Sequence, residues 1–512
     1  MLARVNSAAL LGIDAYKVEV EVDISSNFPR FDIVGLPDAA VQESKERVRA
    51  AIRNSGLEFP QRRITVNLAP ADVRKEGPSF DLPIAVGLLA ATGQVPTDWL
   101  ADTIVVGELA LDGLIRPVAG VLPIAVHGRD EHMRHMIVPS HNVKEAAIVR
   151  GGPDVFPVTT LSEVVQLLRD PDAMLPAMFD ASELSALDDP TYDIDFSDVK
   201  GQEHVKRSLE VAAAGGHNIL LVGPPGSGKT MLARRIPTIL PPLSLDEALE
   251  TTKIYSVCGL LSCNEALVTK RAFRSPHHTI SNAGLAGGGS YPRPGEVSLS
   301  NHGVLFLDEL PEFKRDVLEI LRQPLEDGFV QIARAQASLT YPARFMMVAA
   351  MNPCPCGYFG DHSKACTCTP MMIQRYLQRI SGPLLDRIDI HIEAPRLKQS
   401  ELMEHGRGES SRLIRKRVNQ ARRMQQSRFE GTNLHCNAHM QTKQLRQYCH
   451  VTDEVKELLR NAISQLNLSA RAFDRILKLS RTIADLAESP DIQVPHVAEA
   501  IQYRSLDRKF WG

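Results

Sequence analysis

Ile219-Leu220-Leu221-Val222-Gly223-Pro224-Pro225-Gly226-Ser227-Gly228-Lys229-Thr230 is the stretch on which the fold turns. Its four leading apolar residues suit a strand buried on both faces. The next eight fit G-x-x-x-x-G-K-[ST], a loop whose backbone N–H groups curl around phosphates. A helix starting at Lys229 brings the positive end of its dipole to the same anion. Lys229 is then expected to reach the β- and γ-phosphates of ATP, and Thr230 to ligate Mg²⁺. A glycine-rich turn without a ligand would have no need of both flanking elements.

Two more strand ends belong with this loop. Val304-Leu-Phe-Leu-Asp308-Glu309 reads as a buried strand closing on two carboxylates. Asp308 suits the Mg²⁺ shell, and Glu309 suits polarising an attacking water. Phe345–Met351 is another apolar run, with Asn352 at its end. Ligands of α/β sheets lie beyond the carboxyl ends of the strands. Asn352 is therefore expected to orient the water or touch the γ-phosphate, although an Asn before Pro353 is also a good turn former. The fold class expected is α/β, and the chemistry expected is ATP hydrolysis.

The chain has 512 residues, 44% of them apolar, enough for several domains. Residues 1–170 read as a mixed α/β domain. There Val18, Val20, Val22 and Ile24 alternate with polar neighbours, as do Ile64, Val66 and Leu68. Asp38 is placed to cap a helix running through Val41, Val48 and Ile52 that Gly56 stops, and Asp81–Thr92 suits a helix ended by Gly93. Residues 171–195 are Asp- and Pro-rich and read as a linker, 196–395 as the ATPase core, and 396–512 as a basic connecting helix and a helical lid. No stretch approaches the ~20 apolar residues of a membrane span, and Met1–Asn6 lacks a secretory pattern. A cytoplasmic protein without membrane contact is expected.

The net charge of −3 gives the whole chain no pull toward nucleic acid. Residues 396–430 nonetheless hold ten Lys/Arg against four Asp/Glu. Within them Glu409–Phe429 suits a helix with an apolar stripe of Ile414, Val418, Ala421 and Met424. Its basic face either meets DNA phosphates or is simply solvated. Four of the eight cysteines, Cys354, Cys356, Cys366 and Cys368, fall within fifteen residues. They either ligate Zn²⁺, with His362 able to replace one thiolate, or stay as free thiols.

Gly295–Phe313, with its run Asn-His-Gly-Val-Leu-Phe-Leu-Asp-Glu-Leu-Pro-Glu-Phe, resembles the magnesium-chelatase-like AAA+ ATPases, specifically the ComM/YifB family. Met351-Asn-Pro-Cys-Pro-Cys-Gly357 and Ser381-Gly-Pro-Leu-Leu-Asp-Arg-Ile-Asp389 match the same group. The resemblance implies an AAA+ P-loop NTPase core with a helical lid. It makes Arg387 an arginine finger acting on a neighbouring subunit, or else a surface Arg paired with Asp386 or Asp389. It makes Arg471 the second sensor, or else a helix-surface Arg. A finger supplied in trans implies a homo-oligomeric ring, in this family a hexamer. Ser275–Ser298, with His277 and His278, resembles the helix-2 insert of this branch, and Gly328–Arg344 its pre-sensor hairpin with Arg334 near the tip.

Glu76-Gly-Pro-Ser79-Phe80 and Gly107–Gly120 are similar to Lon-type proteases, implying a Lon-protease-like (S5 domain 2-like) α/β domain ahead of the core. Where that family carries its general-base Lys, this chain has Val121-Leu122-Pro123, and the next Lys is Lys144. A Ser without an activating base is a poor nucleophile, so a proteolytically inactive domain is expected. The ComM/YifB resemblance implies a motor on single-stranded or branched DNA, a branch-migration helicase of recombination or natural transformation. The alternatives are a magnesium-chelatase-type motor and a protein-remodelling ATPase.

Overall fold

The computed structural model describes residues 1–26, 28–179, 184, 187, 190–262, 265–289, 292–333, 338–361, 364–397, 408–432, 434–466, 470–506 and 510. They form two compact units, Met1–Ala186 with Leu245–Val268, and Leu187–Ser244 with Thr269–Gly512.

The first unit is built on a seven-stranded sheet in the order Arg30–Val34, Arg63–Ala69, Asp14–Ser25, Leu2–Leu11, Thr103–Val105, His135–Pro139, Asp154–Val158. Leu2–Leu11 and Asp14–Ser25 make a hairpin closed by Leu11 opposite Asp14. The alternation at 18–24 sends Val18, Val20 and Val22 fully inside. The helix Asp81–Ala91 lies on this sheet and is buried at every residue. It comes so close that a Cβ on Gly87 would stand 2.6 Å from Val22 Cγ2. Its first residue, Asp81, is a buried carboxylate held by Arg47 Nε at 2.6 Å and by the Ser44 hydroxyl. Such compensation is what a desolvated charge requires. Asp38 caps Ala39–Asn54 by accepting from the Val41 N–H at 2.7 Å.

Leu245–Val268 lies between ATPase motifs in sequence yet packs in this first unit. Its helix Leu245–Val257 turns buried Thr251, Thr252 and Ser256 inward. Gly120 N–H donates to Ser256 O at 3.0 Å, and Ser256 Oγ donates to the buried Glu145 carboxylate at 2.6 Å.

The second unit carries a five-stranded, all-parallel sheet in the order Phe273–Arg274, Val304–Leu307, Met346–Met351, Ile219–Val222, Ile390–Glu393. The three central strands are buried at every residue, as continuous apolar runs flanked by helices should be. Within Gly328–Arg344 the two expected strands are present, Phe329–Ala333 paired antiparallel with Ser338–Pro342. Ser411–Arg428 is a helix whose buried stripe is Ile414, Val418, Ala421 and Gln425. The sequence expectation of Met424 is corrected by hydrogen bonding. Gln425 Nε2 donates to Ala214 O at 3.1 Å, and its carbonyl accepts from Asn437 N–H at 3.0 Å, so a polar side chain is buried at little cost.

The helix Ala470–Leu486 shares the core of this sheet. Its tie to the strands is polar: His217 Nδ1 lies 3.2 Å from Asp389, His217 Nε2 lies 2.8 Å from Thr482 Oγ1, and Arg475 lies 3.5 Å from Asp389. Burial alone would raise the Asp389 pKa, but the His217 bond and the nearby cations outweigh it and hold the carboxyl well below its usual range. Among the described residues no helix is long and apolar enough to cross a membrane.

Candidate functional site

The carboxyl ends of three adjacent strands converge on one place. Gly223, following Ile219–Val222, donates its N–H to Met351 O at 3.1 Å, which pins the glycine loop beside the strand that ends at Asn352. A Cβ on Gly223 would lie 2.1 Å from Ala394 O and 3.0 Å from Ser227 Oγ, so only glycine lets the chain pass. Gly226 and Gly228 have φ of +77° and +83°, the left-handed conformations that glycine adopts without strain. The helix Lys229–Arg235 starts directly after them.

Lys229 is buried. Its ammonium donates to Gly223 O at 2.7 Å and Pro224 O at 3.0 Å, and reaches Asn352 Oδ1 at 3.3 Å. Burial lowers its pKa to about 8, against the opposing pull of the Asp308 and Glu309 charges. Thr230 Oγ1 donates to Asp308 Oδ2 at 2.7 Å. The two expected Mg²⁺ residues thus present oxygens side by side, a hard donor set that fits Mg²⁺.

Glu309 has φ +53°, an uncommon left-handed setting for a non-glycine residue. Its N–H donates to Asp308 Oδ1 at 3.0 Å, and its own side chain stays exposed. His278 Nδ1 lies 3.7 Å from Glu309 Oε2, so a histidine of the segment that resembles the helix-2 insert touches this carboxylate. The insert is held by Arg274, which grips Glu296 through two bonds of 2.7 and 2.6 Å.

Arg387 and Arg471 do not touch the loop residues described above. Arg387 pairs with Glu326 and donates to Pro383 O at 2.5 Å; its partner is neither Asp386 nor Asp389. Arg471 is exposed, with Nη1 3.8 Å from Asp386. Cys354, Cys356, Cys366 and Cys368 are drawn together, their sulfurs all within 4.8 Å of one another. Arg334 and His362 lie outside the described residues. On the basic helix, Arg417 is engaged by Glu210 and Glu409, Arg422 by Ala213 O, and Arg428 by Asp485. Arg412, Lys416 and Arg423 are exposed.

Sequence reasoning missed Gln202. This buried residue sits at φ +55° before the helix Glu203–Gly215, and its amide donates to Ser227 O and Pro395 O, each at 2.8 Å. It thereby fastens the phosphate loop to the chain leaving the last strand. The dipeptide Gly201-Gln202 ahead of a helix was the signal available.

In the first unit, Ser79 lies in a short 3-10 turn, and its carbonyl accepts from Gly107 N–H at 3.0 Å. Gly120, at φ +79°, leads into the helix Val121–Asp130, where Val121, Leu122 and Pro123 are buried.

The family description "Magnesium chelatase, subunit ChlI" matches residues 195–402, "Subunit ChlI of Mg-chelatase" matches 20–142, and "Magnesium chelatase, subunit ChlI C-terminal" matches 408–504. The chain is 45% identical to competence protein ComM of Haemophilus influenzae over 99% of its own length and 98% of that protein's. It is 44% identical to YifB of Salmonella typhimurium over 99% and 98%. It is also 25% identical to Lon protease 2 of Bacillus subtilis over 175 residues, 31% of this chain and 30% of that one. Likeness at that level along nearly the whole of both ComM and this chain, through site and lid alike, makes the chain a member of the ComM/YifB family of magnesium-chelatase-like AAA+ ATPases.

Proposed function

We propose that the chain assembles into a homo-oligomeric ring, a hexamer, that hydrolyses ATP to move along single-stranded or branched DNA, as a branch-migration helicase of recombination or natural transformation. The observation that carries the ATP half is the meeting of Lys229, Thr230, Asp308 and Asn352 at one sheet edge, with Lys229 2.7 Å from Gly223 O and Thr230 2.7 Å from Asp308. Loop amides and Lys229 hold the β- and γ-phosphates, with Gly223, Pro224, Pro225, Gly226, Ser227 and Gly228 forming the cradle. Thr230 and Asp308 would hold Mg²⁺, which neutralises phosphate charge when bound. Glu309 takes a proton from the attacking water, and Asn352 orients that water.

Arg387 reaches the γ-phosphate of the neighbouring subunit once it leaves Glu326, and Arg471 closes over the nucleotide from the lid. The DNA half draws on the name of the Haemophilus relative, a competence protein. Phosphate contacts fall to the exposed Arg412, Lys416 and Arg423, because Arg417, Arg422 and Arg428 are already engaged. The N-terminal domain works without peptidase chemistry, since buried Val121 and Leu122 stand where a base is needed.

The deciding measurement is the ATPase rate of purified protein with and without single-stranded or branched DNA at low salt, where phosphate contacts are strongest. Stimulation by DNA is expected. Turnover indifferent to DNA would point instead to a magnesium-chelatase-type or protein-remodelling motor, and no turnover with Mg²⁺ and ATP would remove the motor itself.

A further inference from the structure

After Asn352 the chain makes a loop that carries four thiols. Cys354 and Cys356 sulfurs lie 3.3 Å apart, Cys354 and Cys366 3.7 Å, and Cys356 and Cys366 3.6 Å, with Cys368 in the same cluster. A disulfide requires about 2.05 Å, so these are not bonded pairs. Thiolates at ~2.3 Å from a tetrahedral metal stand roughly 3.8 Å from one another, close to two of the three distances. Backbone amides point at the sulfurs as well: Gly357 and Phe359 at Cys354, Tyr358 and Thr367 at Cys356, and Cys368 N–H at Cys366 Sγ at 3.4 Å. Amides so placed stabilise negative sulfur.

The loop also walls the nucleotide site. Gly357, at φ +84°, packs so tightly that a Cβ there would lie 2.5 Å from Pro225 Cδ and 3.8 Å from Asn352 Cγ. Arg396 donates to Pro225 O at 3.1 Å while lying over the Tyr358 ring at 5.7 Å. Lys364, between the two cysteine pairs, sits over the same ring at 4.5 Å.

We propose that Cys354, Cys356, Cys366 and Cys368 bind one Zn²⁺ as a structural tetrathiolate, and that this metal holds the loop against Pro225 and Asn352 so that the phosphate loop keeps its hydrolytic shape. On binding, four S–H bonds are replaced by four Zn–S bonds, four protons pass to solvent, and nothing is oxidised or reduced. The metal half stands on the thiols alone. The coupling half rests on reading Gly223–Thr230 as the ATP site. Mg²⁺ does not compete, because it takes oxygen ligands.

The test uses the full chain, purified anaerobically without chelator. Elemental analysis is expected to give about one zinc per chain, and a mercurial thiol reagent to release it as four thiols react. The zinc-depleted protein should lose about tenfold or more in ATPase kcat, recovering with added Zn²⁺ and not with extra Mg²⁺. Folded protein that holds no zinc and takes up none from zinc chloride overturns the site, as does the visible absorbance of bound iron. The double variant Cys366→Ser/Cys368→Ser should lose zinc; if it fails to fold, the wild-type stoichiometry still decides. Zinc release that leaves kcat unchanged overturns the coupling. Zinc-loaded protein that binds no ATP would sink the nucleotide reading while the metal count stands.

Discussion

Two helices in this chain begin in the same way. Gly120, at φ 79° and ψ 26°, precedes Val121–Asp130, and Gly228, at φ 83° and ψ 11°, precedes Lys229–Arg235. Both are left-handed glycines that turn the backbone into a helix N-terminus. The first places a buried valine after the glycine, the second a lysine whose ammonium is met by two carbonyls and Asn352. The backbone device is thus indifferent to chemistry. What makes one turn a candidate for catalysis is the set of side chains brought to it: at the first, the Glu145 carboxylate accepts from Leu122 N–H at 3.3 Å and is itself held by Ser256 and Asn142, where the second gathers Asp308, Glu309 and Asn352 around Lys229.

The largest effect is expected at Arg387, the residue proposed to act on a neighbouring subunit. If Arg387 leaves Glu326 to act on a neighbouring subunit, as proposed, Arg387→Ala should bind ATP yet lose about 10³-fold in turnover. Glu309→Gln should likewise bind ATP and lose on the order of 10²- to 10³-fold. Rings mixed from the two variants contain interfaces with an intact Glu309 facing an intact Arg387, so part of the activity should return. A mixture as inactive as either parent would end the trans assignment of Arg387, and near-normal turnover in Glu309→Gln would remove Glu309 from water activation.

The other side of the comparison is probed by Val121→Lys, which writes the lysine of the second turn into the first. Val121 has no exposed surface, so the substitution buries an unpaired cation and should cost roughly 3 kcal/mol in chemical denaturation. Peptide cleavage should remain absent. A variant of unchanged stability that cleaves casein would mean that the glycine turn and one lysine suffice, and the contrast drawn above would fail.

Much of this was legible locally. Alternation at 18–24 and 64–68, the Asp38 cap and the helix from Asp81 to its stop at Gly93 all depend on neighbours within a turn or two, and the structure has them where the sequence places them. The glycine loop and the strands ending at Asp308 and Asn352 were equally readable, because each carries its own pattern. Features set by partners far along the chain were not. Gln425 replaces Met424 in the buried stripe because Ala214, 211 residues away, supplies a carbonyl. Arg387 pairs with Glu326 across 61 residues, past two nearer acids. No periodicity within Leu245–Val257 could show that its hydroxyl-bearing face packs with the first unit.

Gln202 is the clearest such case, and the smallest of the expected effects attaches to it. Its two amide hydrogens bridge Ser227 O and Pro395 O, both 2.8 Å away, so it is the width of the amide rather than its charge that keeps the loop registered on the last strand. Gln202→Ala leaves the buried Ser227 carbonyl and the Pro395 carbonyl short of a donor, and ATP affinity should fall by about tenfold, or ~1.4 kcal/mol. Gln202→Glu should fall further, because a carboxylate would face two carbonyl oxygens with nothing to donate. The size of the side chain is kept in the second variant and removed in the first, so their order separates hydrogen bonding from packing. If equilibrium titration with ATP ranked Glu above Ala, packing would be the cause, and if both bound like the parent, the loop would hold its shape without this residue.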